Sequence, residues 1–173
     1  MPNRRNFLKS KYSVEIGYPL LAYGCILELE QHMTPAFRVL EFGSRGSTIF
    51  FSRRCGFVKS FENRPEWADK VRAALSAPSN VELILCDTKE GLEIVAKEPD
   101  EYYDIVLADS DPDYRDRLAY ANAAIPKLRK SGFMVIDNYE HRHLKSFDYS
   151  KWDVYTYDGI RHSGRGTKIC VKR

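Results

Sequence analysis

The sequence predicts an α/β fold: a mostly parallel sheet of seven strands with helices on both faces, closed by an antiparallel hairpin at the C-terminal end. Three observations lead there. Between residues 38 and 138, short apolar runs rich in Val, Ile, Leu and Phe alternate with longer amphipathic stretches, the pattern of βα units in a parallel sheet. The first run, RVLEF, ends in an acid followed by a glycine turn, GSRG. The last two runs, WDVYTYD and GTKICVKR, are joined by the short glycine-bearing loop GIRHSGR, which suits a hairpin better than another crossover.

The elements follow in order. Residues 1–16 form a polar arm, and a helix is expected over residues 17–33, opened by Tyr18-Pro19 and carrying Leu20, Leu21, Cys25, Leu27 and Leu29 on an apolar face; proline fits a first helical turn. RVLEF is a strand and STIFFSRR a helix, GFVKSFE a strand and PEWADKVRAALSA a helix. NVELILCD is a strand and TKEGLEIVAKE a helix. YYDIVLAD is a strand, DYRDRLAYANAAIPKLRK a long helix, and SGFMVID the fifth strand. The hairpin occupies residues 152–173 and the core of the fold residues 38–138. No repeat, low-complexity tract or linker divides the 173 residues, so one domain is expected.

Composition limits the partners. A net charge of +3 with 29% charged residues lacks the concentrated basic excess of a nucleic-acid binder, so nucleic acid is not an expected partner. No stretch approaches the roughly 20 apolar residues of a membrane span, so neither is a membrane. The four cysteines form no C-x-x-C pair and read as buried thiols in a reducing compartment. Arg4-Arg5 with Phe7-Leu8-Lys9 matches a twin-arginine export signal, but Glu15 interrupts it and no cleavage site follows, so we read the match as chance and expect a cytoplasmic protein.

In open α/β sheets the ligand lies at the carboxyl ends of the strands, and there each of the first five strands carries an acid: Glu41, Glu62, Asp87, Asp109 and Asp137. Taken singly, any of them reads equally as a helix N-cap or a solvated carboxylate. Together with the turn Gly43-Ser44-Arg45-Gly46-Ser47, whose backbone N–H groups and following helix N-terminus favour an anionic or nucleotide ligand, they mark a candidate cofactor site. The dinucleotide fingerprint G-x-G-x-x-G is missing.

VLEFGSRGST, FVKSFENRPEWADKV, VELILCD, YDIVLADSD and GFMVIDN resemble the successive motifs of the class I S-adenosylmethionine-dependent methyltransferases, nearest to small O-methyltransferase-like proteins. The resemblance implies a Rossmann-like methyltransferase sandwich and S-adenosyl-L-methionine as cofactor. It implies Glu41, Gly43, Ser44 and Gly46 around the methionine part, Glu62 on the ribose, Asp87 on the adenine, and Asp109 near the sulfonium or the acceptor; Ser47, next in the turn, is also expected to bind the cofactor. Arg45 departs from the family pattern, which has glycine there. Its side chain must point outward or meet the cofactor carboxylate; the alternative is a chain that has lost cofactor affinity.

Methyl transfer to a hydroxyl needs help in removing the acceptor's proton. In one version Asp109 or His141 is the base, although an exposed loop histidine is an equal reading of His141 and of His143. In the other, Asp109, Asp137 and Asn138 hold Mg2+, in the ligand pattern of the catechol-type enzymes, but the lysine usual after the first aspartate is missing from DSDPDY. The expected acceptor is a small molecule, a sugar or a carrier-bound group, with oxygen favoured over nitrogen; a second subunit, making a homodimer, would supply any lid. Arg161, His162 and Arg165 in the hairpin loop suit an anionic group or simple solvation. Two other classes fit: a nicotinamide-dependent oxidoreductase and a non-catalytic cofactor-fold binding module.

Overall fold

The structure, a computed structural model, describes residues 13–75, 80–110, 113–158 and 166–173. Its elements in order are α1 (Ser13–Ile16), α2 (Tyr23–His32), β1 (Arg38–Phe42), α3 (Gly46–Ser52), β2 (Phe57–Glu62), α4 (Pro65–Ala74) and β3 (Val81–Leu85). Then come α5 (Thr88–Lys97), β4 (Tyr103–Ala108), α6 (Tyr114–Ala124), β5 (Leu128–Asp137), a 3-10 turn (Leu144–Ser146), β6 (Trp152–Tyr157) and β7 (Thr167–Lys172). The strands form one seven-stranded sheet in the order β3-β2-β1-β4-β5-β7-β6. β1 to β5 pair in parallel, and β7 joins β5 antiparallel and pairs with β6. The sheet expected from the sequence is therefore the sheet observed.

Alternation along the strands feeds two cores. On one face Val39, Val58, Ile105, Leu107, Val135 and Ile169 pack with Leu21, Cys25, Ile26 and Leu29 around α2 and with Phe50 and Phe51 of α3. On the other, Leu40, Phe42, Val106, Met134 and Ile136 pack with Val95 of α5 and Tyr120, Ala121 and Ala124 of α6. A strand buried on both faces reads as an unbroken apolar run, and β4, YDIVLA, is buried at every position. Strand order reverses between β1 and β4, which opens the crevice where open α/β sheets bind ligands.

Two boundaries differ from expectation. The helix expected over residues 17–33 starts only at Tyr23, as α2, and a short helix, α1, forms within the segment expected to be a polar arm; Gly17 turns the chain after α1 at φ +66°. The backbone N–H of Ala22 donates to Thr167 Oγ1 at 3.0 Å, which pins the irregular segment to β7. The helix expected over residues 113–130 ends at Ala124, and β5 begins at Leu128. Pro126 cannot donate to a continuing helix, and the Lys127 carbonyl instead accepts from the Tyr102 and Tyr103 backbone N–H groups. The Arg4-Arg5 motif, the hairpin-loop residues Arg161, His162 and Arg165, and the last residues of the expected helix PEWADKVRAALSA lie outside the described residues. All four cysteines are buried free thiols.

Candidate active site

β1 delivers Glu41 and Phe42 to the crevice, and the chain then turns at Gly43 with φ +98°. A Cβ at Gly43 would stand 2.6 Å from the Asp109 carbonyl oxygen, so both the backbone angle and the close approach of the β4 end require glycine. Behind the turn lies a small hydroxyl network. Thr48 Oγ1 and Ser60 Oγ each donate to Glu41 Oε2 at 2.6 Å, and the Ser44 and Ser60 hydroxyls are 2.6 Å apart. Glu41 Oε1 is buried with no hydrogen-bond partner. Burial pushes the Glu41 carboxyl up to about 7, and the hydroxyls of Ser47, Ser60 and Thr48 oppose that rise.

β2 ends in Glu62, whose carboxylate is tied to backbone donors. Oε2 accepts from the Ser44 N–H at 2.9 Å, and Oε1 accepts from Asn63 at 3.0 Å and Arg64 at 2.9 Å. Burial raises its pKa, while these N–H groups and the Arg45 charge pull it down. Arg45 itself turns outward: its guanidinium lies 4.7 Å from the centre of the Trp67 ring. Its φ of −154° is outside the left-handed region, so the backbone makes no demand for glycine there.

The cleft is lined by Gly43, Phe61, Glu62, Cys86, Ser110 and Tyr120, with Asn63 and Thr88 at its edge. Two expected residues, Gly43 and Glu62, thus meet in one wall. Glu41, Ser44 and Ser47 stand behind that wall in or beside the hydroxyl network. Gly46 faces elsewhere: a Cβ on it would meet the Tyr18 and Ser13 carbonyl oxygens at 2.2 and 2.3 Å, so it seats the N-terminal segment. Asp87 is exposed and caps α5 by accepting from the Glu90 N–H at 2.9 Å.

Asp109 and Asp137 have a basic partner that no nearby sequence supplies. Arg117, 1% exposed, reaches from α6 to the ends of β4 and β5. Its Nη2 pairs with Asp109 Oδ1 at 2.9 Å, and its Nη1 lies 3.6 Å from Asp137 Oδ2. The same guanidinium donates to the Ser110 carbonyl from Nε and Nη2, at 3.2 and 3.0 Å, and to the Asp137 carbonyl from Nη1 at 2.7 Å. It also lies 4.9 Å from the Tyr114 ring, which stacks face to face on His141 at 3.7 Å. A signal for Arg117 was present in the chain: it shares the helical face of Tyr120, Ala121 and Ala124, at spacings of three, four and seven. An arginine on an apolar stripe needs a buried partner.

The expected magnesium site does not fit these residues. Asp137 Oδ1 accepts from Thr167 Oγ1 at 2.9 Å and Oδ2 from Asn138 Nδ2 at 2.7 Å, and a fixed cation already lies between the two acids. Among the described residues no group of three or more His, Cys, Asp or Glu side chains is placed to hold a metal ion.

Residues 37–139 match the model of the family described as "Methyltransferase domain". The fold is also that of solved methyltransferases. An O-methyltransferase from Bacillus cereus, solved with S-adenosylhomocysteine, superposes with TM-score 0.66 at 16% identity, over 97% of this chain and 83% of that one. A cofactor-bound protein from MTB, Rv0187, gives 0.70 at 22% identity over 95% and 88%. An rRNA methylase from Streptococcus thermophilus gives 0.63 at 16% identity over 84% and 91%. No curated protein matches the sequence. The family match together with the sheet order places the chain among the class I S-adenosylmethionine-dependent methyltransferases. The chain belongs to the methyltransferase-domain family that its residues 37–139 match.

Proposed function

We propose that the cleft binds S-adenosyl-L-methionine and that the chain transfers the methyl group to an oxygen, rather than a nitrogen, of a small-molecule, sugar or carrier-bound acceptor. The observation that carries this reading is the pairing of Gly43 and Glu62 in one wall at the strand-order reversal. The residues suit the cofactor. Glu62 retains lone-pair capacity beyond its three backbone bonds and would take the ribose hydroxyls, and Phe61 and Tyr120 offer apolar surface beside it. Glu41 and Ser44, which the resemblance puts near the methionine part, and Ser47 beside them would act from behind the wall by holding the turn in place. Asp87, one residue beyond Cys86, would reach the adenine from the rim. A sulfonium methyl supplies the transferable group, and displacement needs chiefly alignment.

Of the two bases expected, Asp109 stands in an ion pair with Arg117 and acts as a fixed charge. His141, stacked on Tyr114, is the group we assign to proton removal, a task histidine suits near neutral pH. An oxygen acceptor agrees with the resemblance to small O-methyltransferase-like proteins. The rRNA methylase likeness keeps nucleic acid as an acceptor to be tested. S-adenosylmethionine is made and used inside cells, which supports a cytoplasmic site of action. No helix among the described residues is long and apolar enough to cross a membrane.

Isothermal calorimetry with S-adenosylhomocysteine and NAD, on the wild type and Glu62→Ala, tests the assignment. Binding of the homocysteine analogue alone, weakened in the variant, is expected. Binding of NAD alone would point to the oxidoreductase, and binding of neither to a non-catalytic module.

A further inference from the structure

We infer that the Arg117 guanidinium is a resident cation standing where a divalent metal would bridge the strand-end acids. The methyl acceptor is then held without a metal and presents a single hydroxyl rather than a chelating vicinal diol. This inference rests on the methyltransferase reading of the cleft and extends it to the acceptor.

A hard divalent ion takes oxygen ligands from several carboxylates or carbonyls at once and tolerates no cation among them. Here the two carboxylates that could bridge, Asp109 after β4 and Asp137 after β5, both face Arg117, at 2.9 and 3.6 Å. The guanidinium also takes the backbone carbonyls of Ser110 and Asp137, two further oxygens at these strand ends. Asn138 turns its amide Nδ2 to Asp137 Oδ2, a donor where a metal would require an acceptor. Arginine keeps its charge at any accessible pH, so no change of condition empties the position.

The placement has a chemical consequence. A metal chelates two neighbouring oxygens of the acceptor and sets their geometry. A guanidinium buried behind the strand ends cannot, because its donors are already directed to Asp109, Asp137 and Ser110. Ser110 is one of the residues lining the cleft. Its hydroxyl is buried without a hydrogen-bond partner, while its carbonyl is clamped by Arg117. A serine hydroxyl both donates and accepts, and it fits one acceptor hydroxyl. Arg117 is thus a positioning residue for Asp109 and Ser110, and the strap spans β4 and β5 as a bridging ion would.

The test uses the full chain as wild type, Arg117→Ala, Arg117→Lys and Arg117→Ala/Asp137→Asn. Each is titrated with MnCl2, followed by the free-Mn2+ electron paramagnetic resonance signal and by the thermal midpoint. Guanidinium chloride at non-denaturing concentration serves as a second probe. The expected wild type takes up no Mn2+. Arg117→Ala melts lower and recovers about 3 °C or more with guanidinium or Mn2+, and the double variant recovers with neither. A merely structural arginine would not turn its site into a cation site when removed. Mn2+ uptake by the wild type, or an Arg117→Ala protein that folds yet responds to neither cation, would overturn the inference. If Arg117→Ala does not fold, Arg117→Lys decides: it keeps a charge, so Mn2+ exclusion supports the inference and Mn2+ uptake overturns it. Methylation of a catechol acceptor that stops with a chelator would also overturn it. Calorimetry with S-adenosylmethionine runs beside these titrations. Failure there removes the proposed activity and leaves the Mn2+ result to be read on its own.

Discussion

The Ser44 backbone N–H donates to Glu62 Oε2 across 2.9 Å, so the turn after β1 and the acid ending β2 are one hydrogen-bonded unit. Glu62 therefore has two tasks, holding the turn and facing the cleft. Glu62→Gln replaces one acceptor oxygen by a donor that opposes backbone N–H groups. Hydrogen bonds to a charged group contribute about 1.5–3 kcal/mol each, and we expect a loss of about that size in urea denaturation. Affinity for S-adenosylhomocysteine should fall by roughly tenfold or more. A variant that keeps full affinity would show that the carboxylate serves only the turn.

Glu41 predicts the pH dependence. Burial pushes its folded pKa up to about 7, above the ordinary 4.5 of a glutamate carboxyl, so folding favours the protonated form. The sign follows from linkage. The contribution is fully present below about 4.5 and is lost as pH rises through about 7. Its size is on the order of 3 kcal/mol. Glu62, also raised, acts in the same sense. Denaturation midpoints should climb from pH 8 to pH 5.5, and Glu41→Gln should flatten most of that slope. A wild type equally stable at the two pH values would contradict the assignment.

Arg45→Gly separates the two orientations open to that side chain. Because the guanidinium rests on Trp67, the substitution should leave cofactor affinity within about threefold. It should cost about 1–2 kcal/mol of stability, from the cation–π contact and the added backbone freedom. A tenfold loss of affinity at unchanged stability would instead place Arg45 on the cofactor carboxylate.

The two glycines of the turn should fail differently. Gly46→Ala drives a methyl into the Ser13 and Tyr18 carbonyls, and overpacking of this kind costs about 1–3 kcal/mol. Gly43→Ala adds a positive-φ penalty and a clash with the Asp109 backbone in the cleft wall itself. Measured together by denaturation and calorimetry, Gly46→Ala should lose mainly stability, and Gly43→Ala should lose affinity out of proportion.

What the chain reveals in advance is what short-range chemistry decides. Alternating apolar runs and glycine turns place the strands, and with them Glu41, Glu62, Asp87, Asp109 and Asp137 at one end of the sheet. What stays hidden depends on contacts between distant segments. LRK reads as helix when the spacing of YANAAIP is extended past Pro126, yet pairing with Tyr103 draws Leu128 into β5. The N-terminal helix starts late because Ala22 is bonded to Thr167, 145 residues away. Arg117 reads as one more solvated arginine unless its helical face is counted. The partner that neutralises Asp109 comes from the next helix, so a search for basic residues beside each acid could not find it.

Gly46 lies under the carbonyls of Ser13 and Tyr18, so the turn after β1 and the α1 segment are complete only together. Their equilibria are thermodynamically linked: whatever orders the turn also tightens the chain some 30 residues earlier. A ligand that never touches α1 would then slow hydrogen exchange at the Gly17 and Tyr18 amides, which are bonded to the Ser13 carbonyl. The start of the fold becomes a remote reporter of cofactor occupancy.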